Sequence, residues 1–571
     1  MSEENETSPL SRSARLRKFL GRTDTIGAAF VFVMAIPNII LSFTENMGLF
    51  GSIANALFPF ALYPFLLSLP KRPAIMVASL LLLVVLNMFQ IVVLFLYGES
   101  IIAVDMFLNL LTTNTGEASE LLTNLALPII LNMLVYLPFI GWAVYSIVKK
   151  QRFKPIFRKH LRNLGYLFGA LTALFVLLAY CSFPRYAVRL DLYPVNVLCN
   201  IVEAVKRSSQ TINYHKTSAD FKYDAVDTRP ADNREIYVLV IGETSRACNW
   251  QVMGYSRPTN PRLSVRNDLI LFPRALSQSN TTYKSVPLML THTIPADFDS
   301  IVYRKSLITA FKEAGYYTSF FSGQSRNHAL LQYFSEEADT IFYNSKPGQY
   351  DMSIVRHLDS QLSDSLHPKQ LIVLHTYGSH FNYKDRYPES FSKFKPDKSS
   401  QANKYDRIDL VNAYDNSILY TDAVLSEIIE MIDRTDAPAT MIYTSDHGED
   451  IFDDSRNRIL HSSPVPTYYQ LHVPLIVWQS PEYVAERPEI TRALRANADK
   501  YVATSQTFFH TLLNIAGIQT PYLDPIQSVA SELYSEPRPV FLNDLNRSVP
   551  LEESGLKWQD IDILRALRIL Q

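Results

Sequence analysis

The stretch ATMIYTSDHGE, residues 439–449, runs largely apolar and β-branched and then stops on an aspartate–histidine pair. Such a run reads as a strand buried on both faces, and polar residues at the carboxyl ends of buried strands are where open α/β sheets build their sites. Four more runs share the pattern: EIYVLVIGE (235–243), YYTSFFSG (316–323), LIVLHTYG (371–378) and VPLIVWQ (473–479). Three of the five end in Glu243, His375 or Asp446. Helical stretches lie between them, and NAYDNSILYTDAVLSEIIEMID (412–433) repeats its apolar residues near a period of 3.6. The alternation predicts an α/β domain with a mainly parallel central sheet over 234–571. Asp446 and His447 offer oxygen and imidazole donors side by side, a combination suited to zinc. Of the twelve histidines, five fall between 375 and 472: His375, His380, His447, His461 and His472.

Upstream the character changes. A bilayer-spanning helix needs about 20 mostly apolar residues. Five uncharged runs meet that length, at 25–44, 46–70, 73–98, 121–148 and 163–184. They predict a five-helix membrane domain over 1–184, and the first run lacks the cleavage site of a signal peptide. Arg12, Arg15, Arg17, Lys18 and Arg22 precede the first run, Lys71 and Arg72 precede the third, and KKQRFKPIFRKHLR (149–162) precedes the fifth. The alternate connections are acidic, with Glu45 in one and Glu99, Asp105, Glu117 and Glu120 in the other. Positive charge gathers on the cytoplasmic side, so the N-terminus is expected there and the α/β domain on the opposite face. Between the two parts, 185–233 reads as an amphipathic helix (191–208) suited to a membrane surface, followed by a polar linker.

A length of 571 residues allows more than one domain, and a net charge of -1 singles out no class of partner. Basic residues cluster beside the apolar runs, so no nucleic-acid partner is expected. Cys181, Cys199 and Cys248 cannot form a disulfide framework, although the first two are left able to pair. In QSNTTYKSVPL (278–288), Pro287 sets a helix start near Thr281 and Thr282. Either hydroxyl fits a helix cap or a nucleophile, and local sequence leaves the two equal.

Taken together, VLVIGETSRACNWQVMGYSRPTNP (238–261), SNTTYKSVP (279–287), HTYGSH (375–380), NAYDNSILYTD (412–422), YTSDHGED (443–450) and LHVPLIVW (471–478) resemble phosphoethanolamine transferases. That group includes the lipid A-modifying and mobile colistin-resistance enzymes. The resemblance implies a five-helix membrane domain followed by an alkaline-phosphatase-like domain. It implies zinc on Glu243, Asp446, His447 and Thr282, the last being the threonine placed three residues before the serine of SVP. One ion is expected and a second is allowed. Thr282 would be the nucleophile, with Thr281 left to cap the helix. His380 and His461 would contact the phosphoryl group or hold the second zinc, while His472 would support structure. Asn109, Thr113 and Glu117 recur at the spacing of one helical face. That spacing also suits the wet face of an amphipathic helix; the resemblance makes it a donor-binding face, joined by Ser325 of SGQSRNH.

The implied activity moves phosphoethanolamine from phosphatidylethanolamine to an envelope glycolipid, lipid A first, through a covalent phosphoethanolamine–threonine. The implied setting is a monomer in the bacterial inner membrane, among membrane lipid, with a periplasmic catalytic domain. Three departures bear on acceptor choice: Cys248 is the only cysteine of the soluble part, Lys284 adds a charge beside the threonines, and His328 stands near an expected lysine. The competing readings are a related membrane-tethered phosphotransferase or phosphodiesterase of core-sugar, glucan or glycerol-phosphate type, and a non-catalytic envelope sensor. TTYKS does not fit the C/S-x-P-x-R context of a sulfatase nucleophile.

Overall fold

The computed structural model describes residues 20–112, 119, 122–123, 125–229, 233–344, 349–364, 366–399 and 401–571. Thr113, Glu117 and Glu120, and the basic arm Arg12, Arg15, Arg17 and Lys18, lie outside the described residues. The chain divides into two compact units, Met1–Ile102 with Leu125–Val202, and Ala103–Asn124 with Glu203–Gln571. The expected connecting segment 185–233 is thus shared between them, and the short helix after the third apolar run goes with the second unit.

The N-terminal helices are α1 (Thr23–Thr44), α2 (Gly48–Ser68), α3 (Pro73–Ser79), α4 (Leu81–Tyr97), α5 (Val104–Thr112, in the second unit), α6 (Ala126–Val148), α7 (Pro155–Ser182) and α8 (Val195–Ile212). Among the described residues four helices are long and apolar enough to cross a membrane, or five when α3 and α4 count as one bent span. The third expected span is therefore broken, with a 56° bend at Leu80. Ser79 Oγ donates to the Ile75 carbonyl at 2.9 Å just before the bend. In the first unit, α2 and α7 approach closely at Gly165, where a Cβ would meet Phe65 Cβ at 2.8 Å. Asn38, Asn55, Asn87 and Tyr193 form a buried hydrogen-bonded set there, including Tyr193 OH to Asn87 Oδ1 at 2.8 Å. Backbone and side-chain polar groups must be satisfied inside the protein when lipid surrounds it. Cys181 and Cys199 are both exposed free thiols.

The second unit is built on a seven-stranded sheet. Its elements in chain order are β1 (Glu235–Gly242), β2 (Leu269–Leu271), α9 (Thr282–Leu290), β3 (Tyr317–Ser322), β4 (Thr340–Tyr343), β5 (Lys369–His375), α10 (Arg407–Asp433), β6 (Ala439–Ser445) and β7 (Leu475–Gln479). The strand order is β2-β7-β6-β1-β5-β3-β4. All pairings from β6 to β4 are parallel, and β7 pairs antiparallel to both β6 and β2 at one edge. Every residue of β1, β5 and β6 is buried, as a sheet covered on both faces requires. The expected mainly parallel α/β domain is present, and the predicted helix over 412–433 begins earlier, at Arg407.

Candidate active site

The site follows from register. In the parallel pair β1·β6, Gly242 stands opposite Ser445, so the next residues, Glu243 and Asp446, leave the sheet side by side. Thr244 then takes a left-handed backbone conformation (φ 59°). Its N–H donates to Asp446 Oδ1 at 3.0 Å, and the His447 N–H donates to the same oxygen at 2.7 Å. Oδ2 is left facing outward from the strand ends. His447 Nδ1 lies 2.9 Å from the Gly448 carbonyl, so Nδ1 carries the proton and Nε2 presents its lone pair. Two glycines make the close packing possible. A Cβ at Gly378 (φ 56°) would meet the Glu243 carbonyl oxygen at 2.6 Å, and one at Gly448 would meet the Tyr469 carbonyl oxygen at 2.2 Å.

One donor atom each from Glu243, Asp446 and His447 lies within 4.8 Å of the others, and all three side chains are buried. Thr282, the first residue of α9, enters this group. Its Oγ1 is 2.7 Å from Asp446 Oδ2, 3.2 Å from Glu243 Oε1 and 3.2 Å from His447 Nε2. Two carboxylates, an imidazole nitrogen and a hydroxyl thus converge at a helix N-terminus, where partial positive charge favours anions. These four donors suit one zinc ion in type and number. Thr281 behaves differently from the expected cap. It holds the N-cap position in extended backbone, but its hydroxyl makes no capping bond and lies 3.2 Å from Ser279 Oγ. Its carbonyl instead accepts from Ser285 N–H at 3.0 Å and Ser285 Oγ at 2.9 Å.

Three more histidines surround the group. The His461 ring centroid is 4.2 Å from that of His447 and 6.3 Å from that of His380. His461 Nδ1 faces Glu449 Oε1 at 3.2 Å, and Tyr383 OH donates to the other oxygen of Glu449 at 2.5 Å. Burial pushes the Glu449 carboxyl up to about 8 and holds His447 and His461 down to about 4. Both imidazoles are therefore neutral near neutral pH. His380 is held well below its usual value by burial, with Arg386 adding to the effect. His375 sits under the group, bonded through Nδ1 to Ser322 Oγ at 3.1 Å, with Nε2 3.9 Å from Glu243 Oε2.

The other expected residues are placed less centrally. Asn109 Nδ2 donates to Ser462 Oγ at 3.2 Å, which brings α5 to the loop carrying His461. Ser325 Oγ donates to the Asn344 carbonyl at 3.3 Å, just beyond the edge strand β4. His472 is structural: Nε2 donates to the Pro273 carbonyl at 2.8 Å and Tyr468 OH donates to Nδ1 at 2.7 Å.

Several supporting groups were not singled out by sequence reasoning. Gln324 Nε2 donates to Glu243 Oε2 at 3.2 Å and to the Thr376 carbonyl at 3.1 Å. Asp351 accepts from the Tyr377 and Gly378 N–H groups at 2.7 and 2.9 Å, fixing the turn that leads to His380. Gln324 and Glu449 both lie inside motifs already quoted, but only their contacts reveal what they do. The remaining motif residues fasten the loop after β1 to α10 and to the segment that follows β6. Arg246 reaches Asp453 at 2.7 Å and the Glu449 carbonyl at 3.0 Å. Asp415 accepts from Arg257 at 2.5 Å, Asn249 at 2.7 Å and Tyr255 at 3.0 Å. Asp422 accepts the N–H groups of Arg262 and Leu263.

Residues 235–518 match the protein family described as Sulfatase. That stretch is similar to sulfatase-family domains, and several relatives of the chain bear the names of phosphoethanolamine transferases. One, the Kdo(2)-lipid A phosphoethanolamine 7''-transferase of Escherichia coli (strain K12), is 29% identical over 335 residues, covering 56% of this chain and 57% of its own. The chain thus spans just over half the length of the curated relatives it matches. Among solved structures, the zinc complex of the C-terminal periplasmic domain of EcEptC from Escherichia coli is 26% identical with a TM-score of 0.54, covering 59% of this chain and 98% of that one. The integral membrane phosphoethanolamine transferase EptA from Neisseria meningitidis shares the fold, with a TM-score of 0.69 at 22% identity over 88% of this chain and 98% of that one.

Proposed function

We propose that the protein transfers phosphoethanolamine from phosphatidylethanolamine to an envelope glycolipid, lipid A first, with Thr282 as nucleophile. The observation that carries this reading is the Thr282 hydroxyl, held 2.7 to 3.2 Å from Asp446, Glu243 and His447 at a helix N-terminus. A binding-only protein has no need to hold a hydroxyl among metal donors. The names of the relatives supply the transferred group and support the glycolipid acceptor.

Glu243, Asp446, His447 and Thr282 would hold the zinc, and His380 and His461 would hold any second ion. Zinc bound there supplies Lewis-acid charge that lowers the cost of ionising a hydroxyl and of building charge on a phosphoryl group. The chain's own residues do the rest. Thr282 Oγ1 loses its proton and bonds to the donor phosphorus, while the bond from phosphorus to the diacylglycerol oxygen breaks. His461, oriented by Glu449, and His380 are the groups assigned to moving these protons. The N-terminus of α9 favours the negative charge that develops on the phosphoryl oxygens. In the second step an acceptor oxygen bonds to phosphorus and the Thr282–phosphorus bond breaks. Asn109, Thr113, Glu117 and Ser325 are assigned to the donor headgroup, with Glu117 available to its ammonium.

The apolar helices fit lipid substrates, and the lysine and arginine distribution favours an inner-membrane protein with its catalytic domain in the periplasm. The test is expression in a bacterium whose membrane contains phosphatidylethanolamine, followed by mass spectrometry of lipid A and core fractions. Wild type is expected to add phosphoethanolamine and Thr282→Ala to lose the addition. An unchanged envelope with wild type would sink the transferase reading.

A further inference from the structure

A lysine is almost never fully buried unless it is paired. Lys284 is fully buried on α9, two residues beyond Thr282. Its Nζ lies 2.6 Å from Asp105 Oδ2 and donates to the Asn543 carbonyl at 2.7 Å. Asp105 is itself buried, in the first turn of α5. Its other oxygen lies 3.9 Å from Arg207 Nη1, and its N–H donates to Asp544 Oδ1 at 2.8 Å. Arg207 is fixed in turn by the Asp544 carbonyl at 2.9 Å, Asn546 Oδ1 at 3.0 Å and Glu203 at 3.0 Å. One helical turn along α5, Asn109 holds Ser462, the neighbour of His461. Two anchors therefore fix α5 within the second unit: one to the helix of Thr282, the other to the loop of His461.

Removing two charges from water is costly, and apolar pairs of similar volume commonly hold a fold as well or better. The Lys284–Asp105 pair is thus poorly explained by stability alone, and what it does specify is place. We infer that Lys284 is a positioning residue: through Asp105 it sets where α5, and with it Asn109, stands relative to Thr282, and so governs use of the lipid donor rather than phosphoryl chemistry. The inference rests on the transferase reading proposed above.

The test uses the full chain in detergent micelles and two substrates. Phosphatidylethanolamine needs the α5 contacts; bis(p-nitrophenyl) phosphate is too small to use them and reports on Thr282 alone. The variants are Asp105→Asn, which strands the buried lysine, and the double change Asp105→Leu with Lys284→Met, which removes both charges at similar volume. The double variant is expected to melt like wild type and to cleave the soluble diester at a rate within about twofold of it, while its KM for phosphatidylethanolamine rises about tenfold or more. Asp105→Asn is expected to show the same KM rise with a lower melting temperature. An unchanged KM in the double variant overturns the inference, as does equal loss on both substrates or failure of the double variant to fold. Wild type inactive on both substrates would bring down the transferase reading itself, and the inference with it.

Discussion

Thr282 Oγ1 stands 2.7 Å from Asp446 Oδ2, across 164 positions of sequence. Neither residue reaches the other by local structure. Asp446 is delivered by the register of β6 against β1, and Thr282 by the start of α9. The site therefore depends on the sheet being complete, which ties the chemistry to the fold.

Zinc is expected to stabilise the protein, because the donor set exists only in the folded state. At a free concentration about a hundredfold above Kd the gain is about 3 kcal/mol. Chelation should lower the melting temperature of wild type and leave Glu243→Gln and Asp446→Asn nearly unaffected. Equal stabilisation of the variants by zinc would mean that the ion binds elsewhere.

Gly448→Ala tests the packing behind His447. The added methyl would meet the Tyr469 carbonyl oxygen at 2.2 Å and Arg246 Cβ at 2.8 Å. Neither is the free end of a flexible side chain, so backbone must move. Urea unfolding should show a loss of about 1–3 kcal/mol or more, together with weaker zinc binding. A variant as stable as wild type would contradict the close approach.

His472 is expected to give the stability of the second unit a pH dependence. Burial holds its pKa at about 4, against the ordinary value of 6.5. The unfolded chain thus binds the proton more readily, so this contribution is complete above pH 6.5 and is lost as pH falls from there toward 4. The whole shift corresponds to about 3 kcal/mol. In His472→Asn, stability should fall less steeply between pH 7 and pH 5 than in wild type, as measured by urea unfolding at each pH. Parallel curves would refute the assignment.

Parts of this architecture were legible because they rest on local pattern. Long apolar runs marked the membrane helices, and buried strands ending in Glu243 and Asp446 marked both sheet and site. The break at Leu80 was hidden, since it falls inside an otherwise uninterrupted apolar run with no proline or glycine beside it. The edge strands β2 and β4 were hidden as well, being three and four residues long and incompletely buried. Local sequence left Thr281 and Thr282 level; family spacing chose between them, and only the fold reveals which hydroxyl turns toward Asp446. Glu449, Gln324 and Asp351 act by holding other residues, and such roles are written in contacts distant in sequence. The Lys284–Asp105 pair is of the same kind: each charge alone reads as solvated surface.

The most direct test of the central claim is peptide-mapping mass spectrometry of the acid-quenched enzyme after incubation with headgroup-labelled phosphatidylethanolamine and no acceptor. The label is expected on the peptide containing residues 278–288, at Thr282, and absent from Thr282→Ala. A label that survives Thr282→Ala, or that sits on Thr281, would contradict the account.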